Sequence, residues 1–109
     1  MDMVVNRFDV FFVDLNPTFG SEINKIRPCV VISPNQMNNA LNTVIVAPLT
    51  STIKNYPMRV KCVVNKKEGQ IALDHLRSID KTRLQNKIDT IEKITQMKII
   101  KVLLDMFTY

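Results

Sequence analysis

The chain has 109 residues, of which 46% are hydrophobic and 23% charged, so it can bury a core and wholesale disorder is excluded. Its 15 Lys and Arg outnumber its 10 Asp and Glu, and the formal charge of +5 favours a polyanionic partner. No apolar run approaches the roughly 18 residues of a membrane span, and the amino terminus lacks the pattern of a secretory signal. We therefore expect a single cytoplasmic domain over residues 1–109 that does not associate with membranes.

The first two thirds of the chain predict short β-strands. Runs rich in Val, Ile and Phe are bounded by turn-forming residues. Alternation is clearest over residues 58–64, where apolar residues such as Val60 and Cys62 fall on one face and Arg59 and Lys61 on the other. The predicted strands span residues 9–15, 28–33, 43–49, 58–64, 70–76 and 78–81, the last continuing its predecessor beyond a kink.

The carboxyl-terminal segment changes to a helical period. Apolar residues at intervals of three and four predict a helix that begins near residue 92 or 95 and ends near 107. These residues are Met97, Ile100, Leu104 and Phe107, and a second apolar face holds Ile99, Val102, Leu103 and Met106. A helix this apolar should be covered on two sides, either by a second subunit or by deep insertion into its own core. Strands followed by a terminal helix predict a mainly β protein with helices (α+β), built as a small SH3-like barrel.

The residue types present disfavour metal-dependent chemistry. Cys29 and Cys62 lie among β-branched neighbours, where free buried thiols are expected rather than a disulfide or metal ligands. The chain has one histidine, which excludes an acid–base mechanism built on two imidazoles. No Cys or His spacing fits zinc and the carboxylates form no clear two-metal cluster, so we expect no metal and no cofactor.

What remains is a set of arginines, lysines and hydroxyls, which suits stabilisation of charge on a phosphate. In the polar loop over residues 16–27, Gly20 can take a positive φ. Pro28 restricts the backbone of Arg27, so the Arg27 side chain extends from a fixed position. The alternative for this segment is an ordinary surface connection. Thr50 and the hydroxyls after it close the third predicted strand, where they would either donate to phosphate oxygens or cap a loop.

A further polar cluster lies near the end of the strand predicted over residues 70–76. It contains Asp74, His75 and Arg77. Because adjacent strand residues point to opposite faces, Asp74 and His75 should not form a catalytic dyad, and one of them should face the core.

Long sequence blocks then carry a family resemblance. They are DVFFVDLNPTFGSEINKIRPCVVIS (residues 9–33), TVIVAPLTS (43–51) and IALDHLRSIDKTRL (71–84). In this order and spacing they resemble the MazF/PemK family of toxin endoribonucleases, over nearly the whole chain. The resemblance implies an SH3-like barrel homodimer that cuts single-stranded RNA at short sequence motifs without a metal and is held inactive by an antitoxin.

The resemblance also implies roles for single residues. The family's usual catalytic pair, an arginine before proline and a threonine closing the third strand, matches Arg27 and Thr50. Some members use an acidic residue at the position of Asp74, which here would be a base or an orienting partner for an arginine. The chain departs from the family at Phe8, where glycine is common, and at His75, where many members carry glutamine. The candidate RNA-binding residues are Phe19, Ser21, Glu22, Lys25, Ser51, Lys54, His75 and Arg77, and the alternative for Phe19 and His75 is that they pack within the protein.

Other functions remain open at this point. A toxin with the same barrel that poisons a topoisomerase by binding would depend on residues 107–109 rather than on Arg27 and Thr50. A basic RNA-binding module without catalysis would keep its lysines and arginines but tolerate the substitution Thr50→Ala. The ribonuclease is the function that the family resemblance predicts, and end groups on the RNA distinguish it from both alternatives.

Overall fold

The computed structural model describes residues 3–16, 20–21 and 25–109. Within these ranges the chain forms a seven-stranded antiparallel sheet, with a short helix between strands and a longer helix at the carboxyl end. The strands are β1 (Asp9–Asp14), β2 (Ile26–Val31), β3 (Thr43–Thr50), β4 (Arg59–Val64), β5 (Lys67–Ala72), β6 (Arg77–Asp80) and β7 (Leu84–Thr90), and the helices are α1 (Asn35–Ala40) and α2 (Lys93–Phe107).

The longest strand, β3, joins the parts of this sheet. The strands follow the order β4-β5-β3-β2-β1-β7, and β6 also pairs with β3. Residues 43–46 of β3 pair with β6, its end at residues 49–50 pairs with β5, and residues 46–48 pair with β2. The end of β3 therefore lies next to both β2 and β5.

Apolar side chains are buried on both faces of the sheet. Val30 belongs to one buried cluster, together with Val10, whereas its neighbours Cys29 and Val31 belong to a second cluster with Val13. Successive strand residues point to opposite faces, so a strand buried on both sides reads as a continuous apolar run. This explains why the Val-rich runs predicted most of the strands, and the expected mainly β fold with a terminal helix is confirmed.

The turn before β1 carries Phe8 in an unusual conformation. Phe8 has a φ of 74°, in the left-handed region that favours glycine and is strained for a bulky side chain. Its backbone N–H donates to Val31 (2.7 Å to the carbonyl oxygen) and its carbonyl accepts from Ile91 (3.0 Å). The ring is 9% exposed and belongs to the same core cluster as Ile99. The turn therefore forms with phenylalanine at this position and is held by these two backbone hydrogen bonds.

Some elements differ from the sequence prediction. Helix α1 and strand β7 were not expected from the hydrophobic pattern. Strand β5 ends at Ala72 rather than at residue 76, and a 3-10 turn over Leu73–His75 follows it. Strand β6 does not extend β5, because each pairs with its own part of β3.

Helix α2 places one face on the sheet and leaves the other in water. Thr95 and Ile99 are buried, and α2 packs on β4. The outer face of α2, which we define as Ile94, Met97, Leu104 and Phe107, has exposed fractions from 60% to 75%. Deep insertion of α2 into its own core is therefore wrong, and the described part of the chain leaves this face open. None of the helices in the described ranges has the length and apolarity to cross a membrane.

Candidate active site

The ends of β2, β3 and β5 surround a cavity of about 330 Å³, which we call the arginine cavity. Arg27 and Thr50 both line it. The strand register explains why. The antiparallel pairing of β2 with β3 runs from Val31 with Val46 to Cys29 with Pro48, so Arg27 at the start of β2 and Thr50 at the end of β3 both lie just beyond the same end of this pairing. The structure thus places in one cavity the arginine and the threonine that the family resemblance implies as a pair.

The Thr50 hydroxyl is oriented by the loop that follows it. Its oxygen accepts a hydrogen bond from the backbone N–H of Thr52, with 3.2 Å between Oγ1 and N. A hydroxyl has one donor and two acceptor positions, so this bond uses an acceptor and keeps the O–H as a donor. Ser51, also predicted as a site residue, lines the same cavity.

The wall of the arginine cavity carries more positive than negative charge. Its charged lining residues are Arg27, Lys67 and Glu68. Arg27 is half-buried at the start of β2, directly before Pro28, whose ring restricts the preceding backbone. A half-buried guanidinium beside a hydroxyl donor suits an anion with several oxygen atoms, such as a phosphate.

The two cysteines are buried and do not line the arginine cavity. Both are free and buried, as predicted. Burial raises the pKa of the Cys29 thiol to about 12, against an opposite and smaller effect of Arg77 and Arg27, and burial raises that of Cys62 to about 11. Since the thiolate is the nucleophilic form, neither cysteine is reactive at neutral pH.

Asp74 lies in a different place from Arg27 and Thr50. It lines a second cavity of about 350 Å³, which we call the aspartate cavity. The predicted RNA-binding residues that share this cavity are Ser21, His75 and Arg77. Of the three residues predicted to be catalytic, the structure therefore brings two together and places the third elsewhere.

The carboxylate of Asp74 is held by Arg59 in a bidentate pair. Arg59 Nε donates to Oδ1 at 2.7 Å and Nη2 donates to Oδ2 at 3.0 Å. Partial burial alone would raise the pKa of Asp74, but the hydrogen bond from Arg59, a backbone hydrogen bond and the charges of Arg59 and His75 together hold it below the ordinary value. The same hydrogen bond raises the pKa of Arg59. Asp74 is thus an oriented, ionised hydrogen-bond acceptor and a weak base.

The expectation that Asp74 and His75 point to opposite faces is wrong. Both lie in the 3-10 turn after β5, and His75 Nε2 is 3.5 Å from Asp74 Oδ2. Neither side chain enters the core, since Asp74 is exposed and His75 is half-buried. The two residues present polar atoms to the same cavity instead.

Arginines from β6 and the turn after it fix the start of the loop that follows β1. Arg77 Nη1 donates to the carbonyl of Leu15 (3.1 Å), and Arg83 Nη1 donates to the carbonyls of Asp14 (3.2 Å) and Asn16 (2.7 Å). Arg77 therefore has a structural contact besides its predicted contact with RNA. Sequence reasoning missed Arg83, because its partners lie far away along the chain.

The far end of this loop is also fixed. Lys25, with a φ of 73°, donates from its backbone N–H to Asn16 Oδ1 (3.1 Å) and accepts from the backbone N–H of Leu15 (3.1 Å). The positive φ expected at Gly20 is confirmed at 60°. Of the predicted site residues in this loop, Phe19 and Glu22 lie outside the described residues. Across the ranges that the structure describes, no three side chains of His, Cys, Asp or Glu are grouped to hold a metal ion.

Comparison with known proteins decides the family. Residues 6–107 match the model of the PemK-like, MazF-like toxin of type II toxin–antitoxin systems. The chain belongs to this toxin family. The resemblance seen in the sequence blocks is therefore confirmed.

This MazF-like toxin has relatives of known name. It is 37% identical over 92 residues to Endoribonuclease EndoA of Bacillus subtilis, a match that covers 79% of each chain. It is 37% identical over 91 residues to Endoribonuclease MazF of Staphylococcus saprophyticus, covering 78% of this chain and 76% of the relative.

Solved structures show the same fold. MazF from Deinococcus radiodurans superposes with a TM-score of 0.84 at 24% identity, over 96% of this chain and 97% of that one. An endoribonuclease in complex with its cognate antitoxin from a mycobacterial species gives a TM-score of 0.82 at 20% identity, over 96% and 98% of the two chains. The sheet and terminal helix of the MazF-like toxin are those of its family.

Proposed function

We propose that this MazF-like toxin is an endoribonuclease that cuts single-stranded messenger RNA at specific sequences. The observation that carries the proposal is that Arg27 and Thr50 line one open cavity at the ends of β2 and β3. The names of the relatives from Bacillus subtilis and Staphylococcus saprophyticus support it, since both are endoribonucleases.

The reaction begins with a nucleophile that RNA itself supplies, the 2′-hydroxyl next to the scissile phosphate. The enzyme must align this hydroxyl with the leaving 5′-oxygen, neutralise the phosphorane and protonate the leaving oxygen. The permanently charged fork of Arg27 clamps two phosphate oxygens. A bond from the 2′-oxygen to phosphorus forms as the bond to the 5′-oxygen breaks, and the proton that the 2′-hydroxyl loses passes to the 5′-oxygen. Thr50 relays this proton or donates its O–H to a phosphate oxygen. The products are a 2′,3′-cyclic phosphate on one fragment and a 5′-hydroxyl on the other.

The cut is proposed to proceed without a metal ion. The positive charge that a phosphorane requires is supplied by Arg27, with Lys67 on the same wall. The attacking group belongs to the substrate, so no metal-bound water has to be generated. Cleavage should therefore continue in the presence of EDTA.

We assign Asp74 to orientation rather than to proton abstraction. Its lowered pKa and its bidentate pair with Arg59 support this choice between the roles that the sequence left open. The aspartate cavity then receives a part of the RNA away from the cut bond, through His75 and Arg77. Ser21, Lys25, Ser51 and Lys54 are proposed as further RNA contacts, together with Phe19 and Glu22 of the same loop.

The proposed cellular setting follows from the family. Among the solved relatives, the mycobacterial endoribonuclease is bound to its cognate antitoxin and the Deinococcus radiodurans MazF occurs with MazE. We propose that this toxin is likewise held by a cognate antitoxin and acts as a homodimer. Because its proposed substrate is messenger RNA, we place it in the cytoplasm.

Incubation of the purified protein with a long mixed RNA tests the proposed function. The expected result is a limited set of fragments with 5′-hydroxyl and 2′,3′-cyclic phosphate ends, with and without EDTA. Fragments with 5′-phosphate ends, or cleavage that stops with EDTA, would contradict the proposed chemistry. Intact RNA combined with inhibition of a topoisomerase would favour the binding toxin, and intact RNA that stays bound would favour the module without catalysis.

A further inference from the structure

Gln70 lies where β5 meets the end of β3, because Thr50 and Gln70 are partners in the sheet register. The residue is only 2% exposed. Its amide oxygen accepts a hydrogen bond from the backbone N–H of Lys54 (3.0 Å), and its amide nitrogen donates to the Lys54 carbonyl (2.9 Å). One buried side chain therefore holds both backbone polar groups of a residue in the loop after Thr50.

The loop held by Gln70 has little other regular support. Residues 51–58 form neither helix nor strand. Their conformation depends on particular contacts, because no ladder of backbone hydrogen bonds fixes them. An amide that donates and accepts at once also has a defined orientation, which an apolar side chain of the same size does not reproduce.

The backbone of β5 also approaches Thr50 closely. A Cβ atom on Gly69 would lie 2.9 Å from the carbonyl oxygen of Thr50, closer than such atoms approach. The absence of a side chain at Gly69 thus allows β5 to support the Thr50 backbone directly. Gly69 and Gln70 together define the position of the end of β3 and of the loop beyond it.

The contact between loop and hydroxyl links Gln70 to the proposed chemistry. The backbone N–H of Thr52, within the loop, donates to Thr50 Oγ1. A displaced loop would move this donor and allow the hydroxyl of Thr50, a residue that lines the arginine cavity, to rotate. A misplacement of about 1 Å at a reacting group is enough to lower a rate by about a hundredfold.

We propose that Gln70 is a positioning residue, which holds the loop after β3 so that the Thr50 hydroxyl keeps its orientation toward the RNA phosphate. The proposal rests on the proposed ribonuclease function, in which Thr50 contacts the phosphate. Gln70 is buried and acts through Lys54 and the loop rather than on the substrate.

A double-mutant cycle on the purified full chain separates positioning from general stability. Gln70→Met keeps the volume but removes both hydrogen bonds, and should lower kcat at least about tenfold while KM changes less than about threefold. In the Thr50→Val background the same change should have almost no further effect, because the hydroxyl that Gln70 positions is already absent. Gln70→Glu keeps the acceptor for the Lys54 N–H and should give a kcat between those of the parent and Gln70→Met.

Asn38→Leu is the matched control. Asn38 lies in α1 and is 1% exposed, and its side-chain amide donates to the carbonyl of Ser33, just before the helix. It lines neither the arginine cavity nor the aspartate cavity. It should lose stability in urea unfolding, as Gln70→Met does, but keep the parental kcat.

The outcomes distinguish this proposal from the proposed function. A parent that cuts RNA and needs Thr50, together with a Gln70→Met variant at parental kcat, overturns the positioning role alone. Equal losses from Gln70→Met in both Thr50 backgrounds, or a loss of kcat in Asn38→Leu that matches it, also overturn the positioning role. A parent that leaves RNA intact overturns the proposed function and the positioning role with it.

Discussion

The arginine cavity and the aspartate cavity have similar volumes, about 330 and 350 Å³, and residues of β3 line both. They differ in the net charge of their lining residues. The charged lining of the arginine cavity is Arg27, Lys67 and Glu68, an excess of positive charge. The charged lining of the aspartate cavity is Asp74 and Arg77, one charge of each sign, and both are already hydrogen-bonded within the protein, Asp74 to Arg59 and Arg77 to the Leu15 carbonyl.

The difference separates two tasks that the sequence could not assign. An excess of positive charge stabilises a negative charge that develops during a reaction, as on a phosphorane. Balanced, mutually bonded groups contribute fixed donors and acceptors instead, which suits orientation and recognition. The following substitutions test whether the two cavities divide the work in this way.

Arg27→Ala should have the largest effect, because it removes the guanidinium from the arginine cavity. We expect the rate of RNA cleavage to fall about a hundredfold or more, since a charged group that contacts the transition state contributes about 3 kcal/mol. Gel analysis of a labelled RNA measures the rate, and circular dichroism with size-exclusion chromatography checks the fold. Lys66→Gln removes one positive charge from the exposed β4–β5 turn and should stay within about twofold of the parent. Cleavage by Arg27→Ala at nearly the parental rate would show that the arginine cavity is not the site of RNA cleavage.

Thr50→Val should have the next largest effect. Valine keeps the branched shape of threonine but lacks the hydroxyl, so the rate should fall about ten- to a hundredfold through loss of one donor to the phosphate. Thr50→Ser keeps the O–H and should cut within about fivefold of the parental rate. Single-turnover cleavage with excess enzyme measures both variants. Equal rates for Thr50→Val and the parent would show that the hydroxyl is dispensable.

Asp74→Asn should reduce cleavage less than about tenfold if Asp74 only orients its neighbours, whereas loss of a general base costs about a hundredfold or more. The same variant gives a pH prediction. The folded-state pKa of Asp74 lies below its ordinary value of 3.8, so the ionised carboxylate stabilises the fold above that pH, and this contribution is lost as the pH falls through the folded-state pKa. Urea unfolding between about pH 5 and pH 2 should therefore show a shallower acid-side decline for Asp74→Asn. A hundredfold loss of cleavage would make Asp74 part of the reaction.

Substitutions of Phe8 should have the smallest effect on cleavage, since Phe8 lies in neither cavity. Glycine normally destabilises a fold more than alanine does. At a φ of 74° the order should reverse, with Phe8→Gly more stable than Phe8→Ala by about 1 kcal/mol, although both lose the buried ring. Urea unfolding measures the difference, and the parental cleavage rate is the expected control. A Phe8→Ala variant at least as stable as Phe8→Gly would show that the turn carries no strain.

The sequence predicted those elements whose side chains are buried in a regular pattern. Strands β1, β2, β3 and β4 and helix α2 follow from apolar runs, alternation and helical spacing. Helix α1 has the polar sequence NQMNNA and no side-chain cap hydrogen bond, and β7 buries only Leu84 fully, so neither produces a hydrophobic signal. Their conformation depends on neighbouring strands that a local pattern does not reveal.

The candidate site was predictable to the extent that its residues follow strand order. Arg27 and Thr50 line one cavity because β2 and β3 are adjacent and antiparallel. Asp74 was harder to place, because its partner Arg59 is fifteen residues away and its own segment forms a 3-10 turn rather than a strand. Gln70 gave no signal at all, since a glutamine in a strand is typical of a solvated face, and its burial depends on the loop that folds over it.

The outer face of α2 links the durability of this toxin to its abundance. Apolar side chains in water gain free energy when a second surface covers them, so the folded form should become harder to unfold as more copies accumulate. With a second copy as that surface, as in the proposed homodimer, the urea midpoint of the toxin should rise with its concentration.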